Sequence, residues 1–119
     1  MGKLNFSKEL RLLTASDFSF VFQEAKRASC KYITIFGRKN LFRYPRIGFA
    51  ISKKNIKFAH DRNRIKRITR ETFRKMQYKL PIMDFVIIAK IGVIHLENNE
   101  LRGILEKLWH YHRRLVRGL

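Results

Sequence analysis

Apolar positions change their spacing several times along the chain, and each change marks an element. Thr14 and Ser16 offer N-cap hydroxyls, after which Phe18, Val21, Phe22 and Ala25 recur at i, i+3, i+4 and i+7. That stripe predicts a short helix running to about Ala25, with Phe20 off the stripe. Lys26 to Ser29 reads as a link. Tyr32 to Phe36 (YITIF) is rich in β-branched and aromatic residues and predicts a strand. Gly37 to Pro45 is a polar, basic connection. In Ile47 to Ser52, Ile47, Phe49 and Ile51 alternate with small residues, a second strand with one tightly packed face. These two strands and their connection predict an antiparallel hairpin.

The spacing then lengthens again. After a basic loop, Lys53 to His60, Asp61 is the expected N-cap of a helix to about Tyr78, which Pro81 forbids from continuing. At about 100° per residue, Ile65, Ile68, Thr69, Thr72 and Met76 share one side of this helix, with Phe73 at its margin. Asp84 to Lys90 (DFVIIAK) is nearly all apolar, the mark of a central strand buried on both faces. Gly92 to Asn98 loops over, and Asn98 or Asn99 caps a last helix. Leu101, Ile104, Leu105, Leu108, Trp109, His112, Leu115 and Val116 give that helix a broad apolar stripe, and Gly118 ends it. The order α-β-β-α-β-α predicts an α+β fold, a two-layer α/β sandwich with helices packed on a small sheet. One domain spans 1–119, preceded in its first thirteen residues by a basic, weakly periodic arm.

Charge changes the picture. The 119 residues carry 27 Lys and Arg against 9 acids, a net charge of +18. Hydrophobic residues make up 45%, so the charge sits on a chain with a real core rather than on a disordered tail. Such a charge opposes compaction, and a polyanionic partner that neutralises it is the natural reason for it: nucleic acid first, an anionic membrane surface second. The longest fully apolar run, Phe85 to Ala89, is far too short to span a bilayer. Glu9 and Asp17 interrupt any N-terminal signal pattern. The single cysteine, Cys30, leaves no internal disulfide and suits a reducing compartment. The expectation is a cytoplasmic protein.

The charge is concentrated between Ser52 and Lys75, which holds ten Lys or Arg and two acids, Asp61 and Glu71. Asn63, Lys66, Arg67, Arg70 and Arg74 fall on the helix face opposite the apolar one. Arg62 and Arg64 fall at the expected first turn, where the dipole disfavours cations but free N–H groups attract anions. One face therefore suits a core and the other a phosphate backbone. Catalysis by the chain itself finds little support. Asp61 and Glu71 are ten residues apart, roughly 15 Å along a helix, too far to share a metal. His110 and His112, at i and i+2, point apart, and no P-loop or dinucleotide fingerprint is present. Strands flanking the basic helix exclude a helix-turn-helix.

Arg62-Asn63-Arg64-Ile65-Lys66-Arg67 with Arg70, preceded by Ser52-Lys53-Lys54, resembles the signature of the bacterial ribonuclease P protein subunit in its proteobacterial form. Phe6 to Thr14, Asp17-Phe18 with Val21-Phe22, Pro45-Arg46-Ile47-Gly48, Asp84 to Lys90 and Leu105 to Trp109 extend the resemblance over nearly the whole chain. The resemblance implies a monomeric cofactor, one copy per catalytic RNA, in a ribonucleoprotein that removes the 5′ leader of precursor tRNA by Mg²⁺-dependent hydrolysis. The RNA subunit would hold the magnesium, and neither DNA nor a membrane would be a partner. It further implies that Arg62, Asn63, Arg64, Lys66, Arg67 and Arg70 face the catalytic RNA. Lys53, Lys54 and Arg74 are grouped with them as phosphate-binding candidates. A cleft lined by Phe18, Phe22 and Phe36 would take the single-stranded leader. The family's sheet has four strands, with a left-handed βαβ crossover around the basic helix; the fourth would come from splitting Lys26 to Phe36 or from the N-terminal arm. A general RNA-binding protein of ribosomal type is the alternative.

Overall fold

The computed structural model describes residues 14–117; the expected basic arm and the stop at Gly118 lie outside them. The elements are α1 (Ala15–Gln23), β1 (Lys26–Ser29), β2 (Ile33–Lys39), β3 (Arg46–Phe49), α2 (Ala59–Met76), β4 (Met83–Ala89) and α3 (Asn98–Arg117), with a short 3-10 helix at Ile91–His95. Thr14 caps α1 through a reciprocal pair: its Oγ1 accepts from the Asp17 amide at 3.2 Å, and Asp17 Oδ2 accepts from the Thr14 amide at 3.0 Å.

The four strands form one mixed sheet in the order β1-β2-β4-β3. The expected hairpin between the strands now numbered β2 and β3 does not form. β4 lies between them, antiparallel to β2 from Ile33↔Ala89 to Lys39↔Met83 and parallel to β3 from Arg46↔Asp84 to Phe49↔Ile87. The reason is the composition of β4: a strand apolar on both faces gains most from a central position, with neighbours on both edges and helices above and below. The hairpin is instead β1 with β2, pairing Lys26↔Gly37 through Ser29↔Thr34. The fourth strand thus comes from splitting the segment before Phe36.

Strand alternation sorts the side chains onto two faces. Ile33, Ile35, Ile47, Phe85 and Ile87 join the main core with Ile65, Ile68, Phe73, Leu101, Leu105 and Trp109 from α2 and α3. Phe36, Val86 and Ile88 face the other way and pack with Phe18, Phe20 and Val21 of α1. The fold is the expected α+β sandwich, but its helices divide between the faces, α1 on one and α2 with α3 on the other. The apolar side of α2 is the expected one, with Phe73 fully buried at its margin. Trp109 fixes α3 to α2: its ring lies 5.7 Å from that of Phe73 and 5.1 Å from that of Phe85, and its Nε1–H donates to Thr72 Oγ1 at 2.9 Å. Thr72 Oγ1 in turn donates to the Thr69 carbonyl, so the buried hydroxyl is fully used.

His112, on the inner face of α3, is completely buried and reaches the sheet, with Nε2 2.6 Å from the Ile35 carbonyl. A carbonyl only accepts, so Nε2 carries the proton, which leaves Nδ1 bare and without a partner. Protonation of Nδ1 would bury a charge. Burial accordingly pushes the His112 pKa below 6.5, outweighing the opposite pull of the Ile35 bond. The unfolded chain takes up this proton near pH 6.5 and the folded chain only at lower pH. Stability should therefore decline as pH falls below about 6.5, by at most about 1.4 kcal/mol per pH unit for the one proton, and level off below the folded-state pKa. Urea unfolding between pH 7.5 and 5 checks this against His112→Gln, which keeps a donor for Ile35 but does not titrate. An undiminished pH dependence in that variant would remove His112 from the account.

Candidate nucleic-acid interface

The basic helix starts earlier than its sequence suggests. Ile56 is fully buried, and its amide donates to the Ser52 carbonyl at 2.9 Å while the Asn55 amide donates to Ser52 Oγ at 3.1 Å. This turn carries Lys53 and Lys54 outward, both exposed. The chain then extends through Phe58, and α2 begins at Ala59 with no side-chain cap. The expected N-cap, Asp61, instead stands within the first turn, where its charge suits the helix dipole. Arg62 and Arg64 consequently lie deeper in the helix than the first turn proposed for them.

Their guanidinium groups are also already engaged. Arg62 Nη1 donates to the carbonyls of Ile56 and Lys57 at 2.8 and 2.9 Å, tying the preceding loop to the helix. Arg64 Nη1 donates at 2.9 Å to both the Leu96 carbonyl and Asn98 Oδ1, and its Nη2 reaches the Ile94 carbonyl at 3.3 Å. Arg64 thus clamps α2 to the entrance of α3. These arginines satisfy backbone acceptors that would otherwise need water, and they set the position of the face beside them.

That face holds Asn63, Arg67, Arg70 and Arg74, which with His60, Arg64 and Glu71 line an open groove of about 820 Å³. Lys66, half-buried, belongs to the same side of the helix. The one acid of the groove, Glu71, is neutralised twice: it accepts from Arg67 Nη1 at 3.3 Å and from Arg102 Nε and Nη2 at 3.3 and 3.2 Å. The Arg70 guanidinium lies 5.2 Å from the centre of the Phe49 ring, which fixes it at the sheet end of the groove. An excess of cations on a concave, rigid surface is the arrangement that concentrates an anionic chain.

Phe18, Phe22 and Phe36 gather on the opposite face of the sheet. The Phe22 and Phe36 rings meet edge to face at 5.4 Å, with Phe22 45% exposed. Phe18 sits deeper, against Val21 and Val86. A second set of charges holds this face together. Asp84, 1% exposed, accepts from Arg46 Nε and Nη2 at 2.9 and 2.7 Å and from Asn40 Nδ2 at 2.8 Å. Arg46 also lies 3.5 Å from Asp17 of α1 and 4.1 Å from the centre of the Phe42 ring. The Asp84 hydrogen bond, above all, raises the Arg46 pKa further above its usual range. Arg38 lies 3.9 Å above the Phe20 ring and donates to the Phe20 carbonyl at 2.6 Å, docking α1 on β2. Neither arginine stands out in the sequence as a contact residue. Their partners are far away along the chain, and the only signals were the position of Arg46 in the Pro45-to-Gly48 motif and of Asp84 at a strand start.

Among the described residues no three of His, Cys, Asp or Glu come together as a metal-holding group. No helix among them is long and apolar enough to cross a membrane.

Comparison with known proteins gives the same answer from sequence and from structure. The family model described as Ribonuclease P matches residues 6–113. The chain is 58% identical over 118 residues to the ribonuclease P protein component of Cronobacter sakazakii, covering 99% of both chains. It is equally identical, over the same span, to that of Escherichia coli O157:H7. Among solved structures, the RNase P protein of Thermotoga maritima superimposes with a TM-score of 0.72 at 29% identity, covering 87% of this chain and 96% of that one. The RNase P protein of Staphylococcus aureus superimposes with a TM-score of 0.80 at 22% identity, covering 86% and 94%, a likeness of fold.

Proposed function

The chain belongs to the ribonuclease P protein component family, and from that premise we propose that it is the protein cofactor of a catalytic RNA, with two separate RNA-binding faces. The outer face of α2, Asn63, Lys66, Arg67, Arg70 and Arg74, with Lys53 and Lys54 at the adjoining turn, binds phosphates of the RNA subunit. Arg62 and Arg64 contribute mainly by fixing that face, with their remaining N–H groups directed at the same backbone. The cleft of Phe18, Phe22 and Phe36 takes unpaired bases of the precursor tRNA leader by stacking. The observation that carries the reading is the groove on α2, whose single acid is already neutralised by Arg67 and Arg102.

In this reading the protein's work is electrostatic and positional. Catalytic RNA and precursor tRNA repel each other, and a cationic wedge between them replaces counterions that would otherwise have to be condensed there. In this reading the magnesium for hydrolysis is held by phosphates of the RNA subunit.

Precursor tRNA incubated at low Mg²⁺ with protein alone, catalytic RNA alone, or both tests the proposal. Leader removal should be strongly stimulated only in the mixture. Cleavage by protein alone would make the chain a nuclease in its own right. No stimulation in the mixture would leave a general RNA binder of ribosomal type.

A further inference from the structure

A second concave surface lies at the far edge of the sheet from β3. β1 is an edge strand, and between it and the outer side of α3 runs a groove of about 600 Å³, lined by Arg27, Ser29, Lys107, His110, Tyr111 and Arg114 together with Leu108. Its lining contains three permanent cations and no acid. Lys90 adds a fourth positive charge beside it, with Nζ 3.2 Å from Ser29 Oγ. Tyr111 is 43% exposed, and the Arg114 guanidinium lies 5.8 Å from its ring centre. Spaced cations with an accessible aromatic ring are what a single-stranded nucleic acid needs: phosphates to neutralise and a face on which a base can stack.

Strand β1 borders both this groove and the aromatic cleft. Arg27 pairs directly with Phe36 in the β1–β2 register, and Ser29 with Thr34, so both point to the α1 face. Directly opposed residues on one face stand about 5 Å apart at Cβ. A strand of RNA leaving the Phe36 ring over this edge would therefore pass Arg27, which also lines the groove. From there the open edge of β1 leads it onto Lys107, Tyr111 and Arg114.

We propose that this β1–α3 groove is a second leader site. It would bind the phosphodiester backbone and a stacked base of the 5′ leader at positions beyond those in the Phe18–Phe22–Phe36 cleft. The proposal rests on the reading of the cleft given above. It predicts that leader length, and not only leader presence, sets affinity.

The test uses holoenzyme reconstituted with the catalytic RNA and precursor tRNAs whose leaders are graded in length. The triple variant Lys107→Gln, Tyr111→Ala, Arg114→Gln alters exposed or outer positions, and circular dichroism confirms its fold. Its affinity should match wild type for the shortest leaders and fall by about tenfold or more once the leader is long enough to reach α3. Phe36→Ala should weaken binding of all leaders that fill the cleft. Wild-type affinity of the triple variant at every leader length overturns the groove, and leaves the cleft standing if Phe36→Ala is still impaired. No effect of Phe36→Ala overturns the cleft reading itself. Weakened binding of the triple variant to catalytic RNA in the absence of precursor would also overturn the proposal, by assigning the groove to that RNA.

Discussion

Arg46→Ala should destabilise the protein by about 3–5 kcal/mol, a large share of the 5–15 kcal/mol typical of a folded domain. The cause is the carboxylate left behind. Asp84 is almost completely buried, and its bidentate contact with Arg46 is its only ion pair among the described residues, with Asn40 supplying a neutral hydrogen bond. Removing one partner of such a pair strands a charge in a poor solvent. Removing both is much milder: Arg46→Met with Asp84→Leu should recover most of the lost stability, because the pair's attraction is largely offset by its desolvation. The single variant should also loosen α1, since Arg46 reaches Asp17 and the same guanidinium covers Phe42. Denaturant unfolding of the two variants measures the difference. A double variant as unstable as the single one would mean that Arg46 acts through packing rather than charge.

Neutralising the outer face of α2 should have the largest effect on RNA binding. The variant Lys66→Gln, Arg67→Gln, Arg70→Gln, Arg74→Gln keeps long side chains and good helix formers, so α2 and its buried side should persist. Each lost phosphate contact costs about 1 kcal/mol, the size of one net hydrogen bond, and four cost roughly 4 kcal/mol. That is on the order of a thousandfold in affinity for the catalytic RNA. Glu71 accentuates the loss: with Arg67 replaced, its charge is balanced only by Arg102.

How far the sequence reached depends on the range of the interaction that decides each feature. The buried side of α2 was legible because helical periodicity is local: Ile65, Ile68, Thr69, Thr72 and Met76 are all inside. The central place of β4 was legible for the same reason, in its unbroken apolar run. The separation of β2 from β3 is not legible, because neighbours in sequence are the usual neighbours in a sheet, whereas β4, over thirty residues downstream of β3, lies between them. β1 looks like a link because Lys-Arg-Ala-Ser carries only one buried side chain, Ala28, the polar look that edge strands use against aggregation. The capping chemistry of Asp61 points to a helix start there, whereas the helix begins earlier, at Ala59, beyond the buried Ile56 and the turn on Ser52.

The candidate site follows the same division. The basic side of α2 and the three phenylalanines could be named from spacing and family resemblance. That Arg62 and Arg64 spend donors on Ile56, Lys57, Ile94 and Leu96 could not, because a charged residue gives no local sign of which distant carbonyl it will reach. The Arg46–Asp84 pair was hidden likewise, its members 38 residues apart.

The most direct test of the phosphate-binding role of α2 is the salt dependence of binding to the catalytic RNA, wild type against the four-residue glutamine variant. Each phosphate neutralised contributes roughly 0.7–0.9 to the slope of log K against log salt concentration. The variant's slope should be shallower by about three units. An unchanged slope, whatever the affinity, would contradict the account.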